Sequence, residues 1–365
     1  MLINVQLIDV QSDAHLWAES YTRTLDNIFG VESEVAGKIA DALDVKLSSA
    51  QSAQLAAVPT QNQAAYDLFL RAEYQANQGD TTFNATSWKA AILLYRQAVE
   101  QDPNFALAWA RLPYNESELA WFFGGGVDVK QLNQQARADA ECALQLRPNL
   151  SAAHLAVGYN EYWGRGDYDA ALRAFAAALK LKSSDADALA AQANVERRQG
   201  RFDDATASLE QALALDPRNS VLAFNLGITY MCTSRNTDAE NLFQRALALN
   251  PDNQNAKFQL SQAILLSTGD IPRALSVAQG DDPVLKLARV PLLTEQRKYT
   301  EALALLDSIP DTPDNFSFGG VKAQQQADLY RLMGDSAHAR LLYTQVLPGA
   351  RAQLRVQQGI NLALV

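Results

Sequence analysis

The sequence contains few of the residues that cross-link small domains or bind metal ions. It has 2 cysteines and 3 histidines among 365 residues. Cys142 and Cys232 lie far apart, so they cannot form a disulfide framework and are poorly placed for a single bridge. His15, His154 and His338 are equally scattered, which disfavours a His or Cys metal cluster. The sequence predicts no metal site and no other cofactor.

Helix-breaking residues are also scarce, with 12 prolines and 18 glycines, and this favours a helical chain. No apolar run approaches the ~20 residues that span a bilayer. The first residues, MLINVQLIDV, show neither the basic region nor the cleavage site of an export signal. We therefore expect no direct membrane insertion. The expected location is cytoplasmic by default, or extracytoplasmic if the chain belongs to a membrane-anchored protein.

Negative charge exceeds positive charge, with 41 Asp and Glu against 31 Lys and Arg and a net charge of −10. This balance disfavours nucleic acid as a partner, because polyanions select clustered Lys and Arg. The sequence lacks the phosphate-binding loop, the kinase motifs, the hydrolase G-x-S-x-G motif and the H-E-x-x-H zinc motif. It therefore predicts a protein that is not an enzyme.

An alanine-rich pattern recurs with a period of 34 residues. Each copy has Ala, a large apolar residue four positions later and Ala three positions after that. The copies are Ala171/Phe175/Ala178, Ala205/Leu209/Ala212 and Ala239/Phe243/Ala246. Such positions share one helical face, where alanine allows a neighbouring backbone to come close. Each unit is then a helix pair that buries its apolar face only by stacking on the next pair.

Small residues recur in the partner helix of each pair, which explains how the large residue fits. They are Gly158, Ala193, Gly227 and Ser261, at intervals of 35, 34 and 34. Weaker copies of the pattern extend the array in both directions. The interval from Ala91 to Ala136 is 45, about eleven residues too long, and we place the extra residues around 122–128.

This pattern resembles the tetratricopeptide repeat, or TPR. The resemblance implies an all-α fold, an α-α superhelix known as a TPR solenoid. It predicts about eight TPR-like helix pairs over 62–348, with the best copies within 151–252. Residues 349–365 are then expected to form a C-terminal capping-type helix.

The N-terminal residues follow a different pattern. Residues 3–22 alternate between apolar and polar side chains around a turn, and a helical stripe from Val31 to Leu47 follows. We predict a small β-hairpin plus helix over 1–48, as the remnant of an α/β domain, and a linker over 49–61. This segment is similar to the region that precedes TPR arrays in bacterial signalling proteins with Ser/Thr kinase, nucleotide cyclase or winged-helix domains.

An isolated hairpin leaves two strand edges unpaired, and an unpaired edge invites another strand. We therefore predict a homodimer that forms through the N-terminal hairpin, residues 3–22.

The TPR resemblance implies that the first helix of each pair lines a concave groove that holds a peptide or a partner helix. The residues mapped to this groove are Leu155, Tyr159, Tyr162, Asn194, Arg197, Phe224, Asn225, Ile228, Met231, Phe258 and Gln262. Since Arg197 is the only cation among them, an apolar or helical ligand is expected rather than an acidic tail. The opposite interpretation is that these side chains pack between neighbouring first helices and expose little surface.

Two functions are compatible with these observations. The first is a non-catalytic scaffold that binds a protein or peptide ligand in the groove. The second is the sensory or regulatory C-terminal portion of a larger bacterial signalling protein, a kinase or cyclase.

Overall fold

The structure is a computed structural model, and it describes residues 2–9, 14–22, 28–42, 58–123, 128–312 and 322–357. Within these residues the chain forms a two-stranded sheet and helices. The predicted all-α superhelix with a small N-terminal β-hairpin plus helix is confirmed.

The N-terminal unit consists of β1 (Leu2–Asp9), β2 (Ala14–Thr22) and α1 (Ile28–Ala42). The strands are antiparallel, with Ile3 opposite Tyr21 and Val5 opposite Glu19. An ion pair between Lys38 and Glu19 joins α1 to β2. The predicted turn and most of the expected linker 49–61 lie outside the described residues.

Sixteen further helices follow in the described part of the chain, as eight consecutive antiparallel pairs. The first four pairs are α2 (Gln63–Thr82) with α3 (Ala85–Gln101), α4 (Ala106–Phe123) with α5 (Val129–Leu146), α6 (Ser151–Tyr159) with α7 (Tyr168–Leu181), and α8 (Ala186–Arg198) with α9 (Phe202–Leu215). The last four are α10 (Ser220–Cys232) with α11 (Asn236–Leu249), α12 (Gln254–Thr268) with α13 (Ile271–Val277), α14 (Pro283–Glu295) with α15 (Tyr299–Asp307), and α16 (Lys322–Leu332) with α17 (Ser336–Gln357).

Asparagine and aspartate set the start of most of these helices. The Asn219 side chain, for example, accepts hydrogen bonds from the backbone N–H groups of Val221 and Leu222 at the start of α10. An oxygen at this position satisfies donors that have no partner within the helix. The other residues that cap in this way are Asn62, Asn84, Asp128, Asp167, Asp185, Asn253, Asp270 and Asp282.

Within the third and fifth pairs, a large residue of the second helix occupies the space left by a small residue of the first. A Cβ atom on Gly158 would lie 2.2 Å from Cε1 of Phe175, and one on Gly227 would lie 2.7 Å from Cε1 of Phe243. Both phenylalanines are fully buried. The repeated small residue is therefore a steric requirement of the pair.

The third pair departs from regular α-helix. After α6 the chain continues as a π-helix, Asn160–Arg165, which ends at Gly166 in the left-handed conformation. The side chains of Asn160 and Asn133 bond this segment to α5: Asn160 Nδ2 donates to the carbonyl oxygen of Asn133, and Asn133 Nδ2 donates to that of Gly164. The π-helix takes up the residue that makes the interval from Gly158 to Ala193 35 instead of 34.

Two segments differ from the sequence interpretation. Phe122 and Phe123 belong to α4, because most of the extra residues of the second pair lengthen its helices instead of forming a loop. Residues 336–357 form one helix that passes through Pro348, whereas the sequence suggested a second helix ending at 348 and a separate capping helix from 349. Proline removes a single backbone donor, so the flanking turns can keep a helix continuous across it. Residues 358–365 lie outside the described part of the chain.

The pairs wind far enough for the superhelix to meet itself. Helix α10 contacts α2, and the side chain of Asn250, between α11 and α12, donates a hydrogen bond to the carbonyl oxygen of Thr81 in α2. Among the described helices, none is both long and apolar enough to cross a lipid bilayer.

A central cavity as candidate ligand site

The turns of the superhelix line a cavity of about 1280 Å³ that is partly open to solvent, called the central cavity below. The first helices of the first six pairs, α2, α4, α6, α8, α10 and α12, supply most of its wall. The loop after Asp216 and the loop around Asn250 close it on the side where the superhelix meets itself. The wall carries both charged and aromatic side chains.

The structure brings eight of the eleven predicted groove residues to the wall of this cavity. They are Leu155, Tyr159, Tyr162, Asn194, Arg197, Phe224, Asn225 and Ile228. Leu155 and Tyr162 are also 5% and 2% exposed, so they serve the core between neighbouring first helices as well as the wall. These two side chains therefore line the cavity and are also buried between neighbouring helices.

The other three predicted groove residues lie away from the cavity. Met231 packs against the apolar core of the middle pairs, and Phe258 packs against both that core and the core of the seventh pair. Gln262 donates a hydrogen bond of 3.2 Å to the carbonyl oxygen of Ala288 in α14. These side chains join neighbouring pairs to each other.

Arg197 projects from the last turn of α8 onto the cavity wall. Its Nη1 donates to the carbonyl oxygen of Asn225 at 3.1 Å and to Oγ1 of Thr229 at 3.0 Å, while Nη2 donates to Oδ1 of Asn194 at 2.9 Å. All three acceptors are neutral. Burial lowers the pKa of Arg197, and the positive charge of Arg198 acts in the same direction.

Arg198 adds a second cation beside Arg197. Its Nε donates to the Tyr162 hydroxyl at 3.3 Å, and its guanidinium lies 5.7 Å from the ring centroid of Trp121. Burial alone would lower the pKa of Arg198, but the neighbouring Tyr162 oxygen raises it overall. The two arginines therefore present a positively charged strip on one part of the wall.

Aromatic rings form a continuous apolar part of the wall. Tyr114 and Tyr159 meet edge to face with centroids 4.7 Å apart, and Tyr159 stacks on Trp163 at 5.1 Å. The π-helix supplies Trp163 and Tyr162 to this cluster. Such rings bury a large area at a low cost in side-chain entropy, as ligand sites require.

A second charged region of the wall, which the sequence did not reveal, contains two carboxyl groups. Asp80 in α2 accepts a hydrogen bond of 2.8 Å from Nε1 of Trp88, and Glu118 in α4 lies beside it. Burial raises the pKa of Asp80 to about 6 and that of Glu118 well above its usual value. The charge of Asp80 raises the pKa of Glu118 further, whereas a hydrogen bond with Glu118 acts to lower the pKa of Asp80.

A third charged region links α2, α3 and α4. Glu73 accepts from the Tyr95 hydroxyl at 2.5 Å, and its Oε1 lies 3.1 Å from Nε of Arg111. Burial opposes the charge on Arg111, but Glu73 outweighs it and raises the arginine pKa. Burial likewise raises the pKa of Asp187, which faces Arg111 from α8. In this region the cation, Arg111, is therefore already paired with the Glu73 carboxylate.

The charged residues of the first two pairs were missed because those pairs match the 34-residue pattern least well. The interval of 45 between Ala91 and Ala136 left the register of α4 undefined, and with it the direction of Arg111 and Glu118. One signal was available for Arg111, which interrupts the otherwise apolar stretch 106–113. Among the described residues, no cluster of His, Cys, Asp or Glu could hold a metal ion.

Comparisons with known proteins agree with the repeated pairs. The family model of the tetratricopeptide repeat matches residues 160–220 and 224–280. A putative adenylate cyclase 3 of Rhizobium meliloti is 38% identical over 110 residues, which cover 30% of this chain and 18% of that protein. The chain thus matches less than a fifth of this curated relative.

Solved structures also resemble the chain. A thermophilic TPR protein of Thermus thermophilus is 19% identical, with a TM-score of 0.46, and the match covers 55% of this chain and all of that one. The protein pilF of Pseudomonas aeruginosa is 18% identical, with a TM-score of 0.43, over 64% of this chain and 99% of that one. The helix pairs over 160–220 and 224–280, with their recurring small and large residues, are tetratricopeptide repeats.

Proposed function

We propose that this protein is a non-catalytic scaffold that binds a peptide segment of a partner protein in the central cavity. TPR proteins mediate protein–protein interaction, and their fold is typically non-catalytic. The observation that carries the proposal is the cavity of about 1280 Å³, whose wall combines aromatic rings with polar side chains. This volume slightly exceeds that of common small-molecule sites, at about 300–1,000 Å³, and suits several residues of an extended chain.

The wall offers the groups that an extended peptide needs. Phe224 and Ile228 on α10 are half-buried and supply apolar contact. Among the described residues, the Asn225 side chain has no hydrogen-bond partner, so its amide is free to bond the backbone of a peptide. The Arg197 and Arg198 guanidinium groups can attract an acidic or carbonyl group of the same ligand.

Alanine substitution distinguishes groove residues from packing residues. Partner segments are first isolated by affinity capture with the full chain, and their binding to variants is then measured by calorimetry. Phe224→Ala and Asn225→Ala should each weaken binding about tenfold, as for the central residues of an interface. Phe258→Ala is the matched control, because Phe258 packs away from the cavity: it should lower stability and leave affinity unchanged. If Phe224→Ala and Asn225→Ala bind the segments as tightly as Phe258→Ala does, the proposal is contradicted.

A second candidate function is regulatory. The similarity to the putative adenylate cyclase favours a role for this chain as the sensory or regulatory portion of a larger signalling protein. In that role the central cavity would bind the partner whose presence controls a kinase or cyclase domain.

The two candidates differ in what accompanies the chain in its gene. We expect the reading frame of the second candidate to continue upstream into a catalytic domain. The activity of that longer protein should then change when residues 58–357 are deleted. A reading frame that begins at Met1 would contradict the regulatory function. A catalytic activity that does not change on deletion would also contradict it, and the scaffold function would then be the remaining candidate.

A further inference from the structure

One corner of the central cavity has hydrogen-bond acceptors but few donors. Glu118 and Asn115 lie one turn apart on α4, are 8% and 1% exposed, and both line the cavity. Oε2 of Glu118 and Oδ1 of Asn115 receive no N–H or O–H donor from any described residue. Buried acceptors in proteins are almost always paired, so two unpaired acceptors side by side indicate a missing donor.

The carboxyl groups at this corner also have no cationic partner among the described residues. Asp80 reaches the corner from α2, and its carboxyl group lies within hydrogen-bonding reach of Glu118. Within the described part of the chain, neither carboxyl group forms an ion pair. The nearest cation on α4, Arg111, is already paired with Glu73. A group that satisfies this corner must therefore bring both positive charge and several donors.

We propose that Asp80, Glu118 and Asn115 form a subsite that binds the ammonium group of a lysine side chain on the peptide. This inference rests on the proposed function and specifies the ligand for the same cavity. An ammonium group offers three donors from one compact charge, which fits three neighbouring acceptors. The Tyr114 and Tyr159 rings, 4.7 Å apart on the adjoining wall, supply an apolar surface for the lysine stem.

Binding at this subsite displaces a proton. Two carboxyl groups in contact hold a proton between them when no cation is present, and an arriving ammonium group takes over its role. That proton passes to the buffer, so no other reactant is required. The groups that face the pair are Trp88 on α3, Tyr114 on α4, Tyr159 on α6 and Asp187 on α8, and none of them is a cation.

The pKa values of the pair agree with this exchange. Burial raises the pKa of Asp80 to about 6 and that of Glu118 well above its ordinary value, so near neutral pH the free pair retains a proton. The bound ammonium group lowers both values. Affinity for the lysine side chain should therefore rise with pH up to about 6, the pKa of Asp80, and continue to rise above it as long as Glu118 holds its proton in the free protein.

The test uses the full chain and short peptide pools with acetylated N-termini and amidated C-termini. The pools are random except for one central position, which is lysine in one pool and norleucine in the other. Calorimetry in two buffers of different ionisation enthalpy gives both the affinity and the number of protons released. We expect the lysine pool to bind about tenfold more tightly and to release protons, as a charge-assisted hydrogen bond implies.

Substitutions at this corner test whether it causes the lysine preference and the proton release. The Asp80→Asn/Glu118→Gln double variant keeps the shape of both side chains and buries no new charge, so it should fold. It should lose the preference for lysine and the proton release while binding norleucine peptides as before. Asp252→Asn, another carboxylate on the cavity wall, is the matched control and should keep both effects.

Several results would overturn the subsite. Equal binding of the two pools would refute it and leave the proposed function standing, whereas binding of neither pool would refute both. A lysine preference that persists in the double variant would place the ammonium group elsewhere. Tighter binding of norleucine peptides with free N-termini would identify a terminal amine, and not a lysine side chain, as the ligand.

Discussion

Nδ2 of Asn250 donates a hydrogen bond of 2.9 Å to the carbonyl oxygen of Thr81, although the two residues are 169 positions apart. Thr81 lies in the last turn of α2, and Asn250 follows the last residue of α11. The bond therefore joins the first pair to the fifth and closes the superhelix around the central cavity. Few other contacts in the described chain join these pairs directly, so this bond has a large share in the closure.

We predict that Asn250→Ala loosens the closure. Loss of one hydrogen bond costs about 0.5–1.5 kcal/mol, which is enough to shift an equilibrium between closed and open superhelix. Spin labels at the exposed positions Leu93 on α3 and Leu266 on α12, in a cysteine-free background, report the distance across the junction. The distribution should broaden toward longer distances. Asn104→Ala, in the exposed loop after α3, should leave it unchanged, and identical distributions for both variants would contradict the prediction.

We predict that Gly158→Ala destabilises the third pair. The added Cβ would meet the Phe175 ring at 2.2 Å, an overlap that costs about 1–3 kcal/mol of unfolding free energy. Chemical denaturation measures the loss. Gly37→Ala is the control, because nothing lies within 4 Å of that position, and it should not lower stability.

The fourth pair suggests a compensating substitution. It carries Ala193 opposite Leu209 where the third pair carries Gly158 opposite Phe175. Gly158→Ala combined with Phe175→Leu should therefore be more stable than Gly158→Ala alone. If the losses of unfolding free energy from Gly158→Ala and Phe175→Leu simply add in the double variant, residues 158 and 175 do not compete for the same space.

We predict that Glu116 makes the protein less stable as pH rises. Arg96 pairs with both Glu116 and Asp139 between α3, α4 and α5. Burial and the charge of Asp139 nevertheless raise the pKa of Glu116 from 4.5 to about 8. Between these values the native state binds more protons than the unfolded state, so the free energy of unfolding falls with increasing pH.

Glu116→Gln should remove this contribution, on the order of 5 kcal/mol between pH 4.5 and 8. Urea denaturation at several pH values measures the slope for each protein. Glu141→Gln changes an exposed carboxylate on α5 and should retain the wild-type slope. A Glu116→Gln slope that matches the wild type would show that Glu116 ionises normally in the native state.

We predict that the chain dimerises through residues 3–22. In the described part of the chain, β1 and β2 pair only with each other, so the outer edge of each strand is open. Light scattering should give a dimer for the full chain and a monomer after residues 1–25 are deleted. The same oligomeric state before and after deletion would exclude the hairpin as the interface.

The third to fifth helix pairs could be predicted because they repeat one steric relationship. Phe175 requires Gly158, Phe243 requires Gly227, and the spacing between copies follows from the length of a pair. The π-helix could not be predicted in the same way. The interval from Ala239 to Ala274 is also 35, but there α12 runs on to Thr268 as ordinary α-helix. An extra residue can therefore be accommodated in either manner.

The central cavity was only partly predictable for a different reason. Phe224 and Ile228 face it because they occupy the inward positions of a regular repeat. Asp80 and Glu118 meet only because α2 and α4 adopt a particular rotation, in pairs of irregular length. The contact of Asn250 with Thr81 depends on small rotations summed over several pairs, which no local pattern records.

The closure of the superhelix has a kinetic consequence for whatever occupies its interior. A ligand segment that has a larger domain at each end cannot thread through the closed superhelix. It can enter only when the contact between Thr81 and Asn250 opens. At high ligand concentration the observed association rate should then level off at the frequency of parting. Release would be slowed by the same step, so a segment of modest affinity would still be held for a long time.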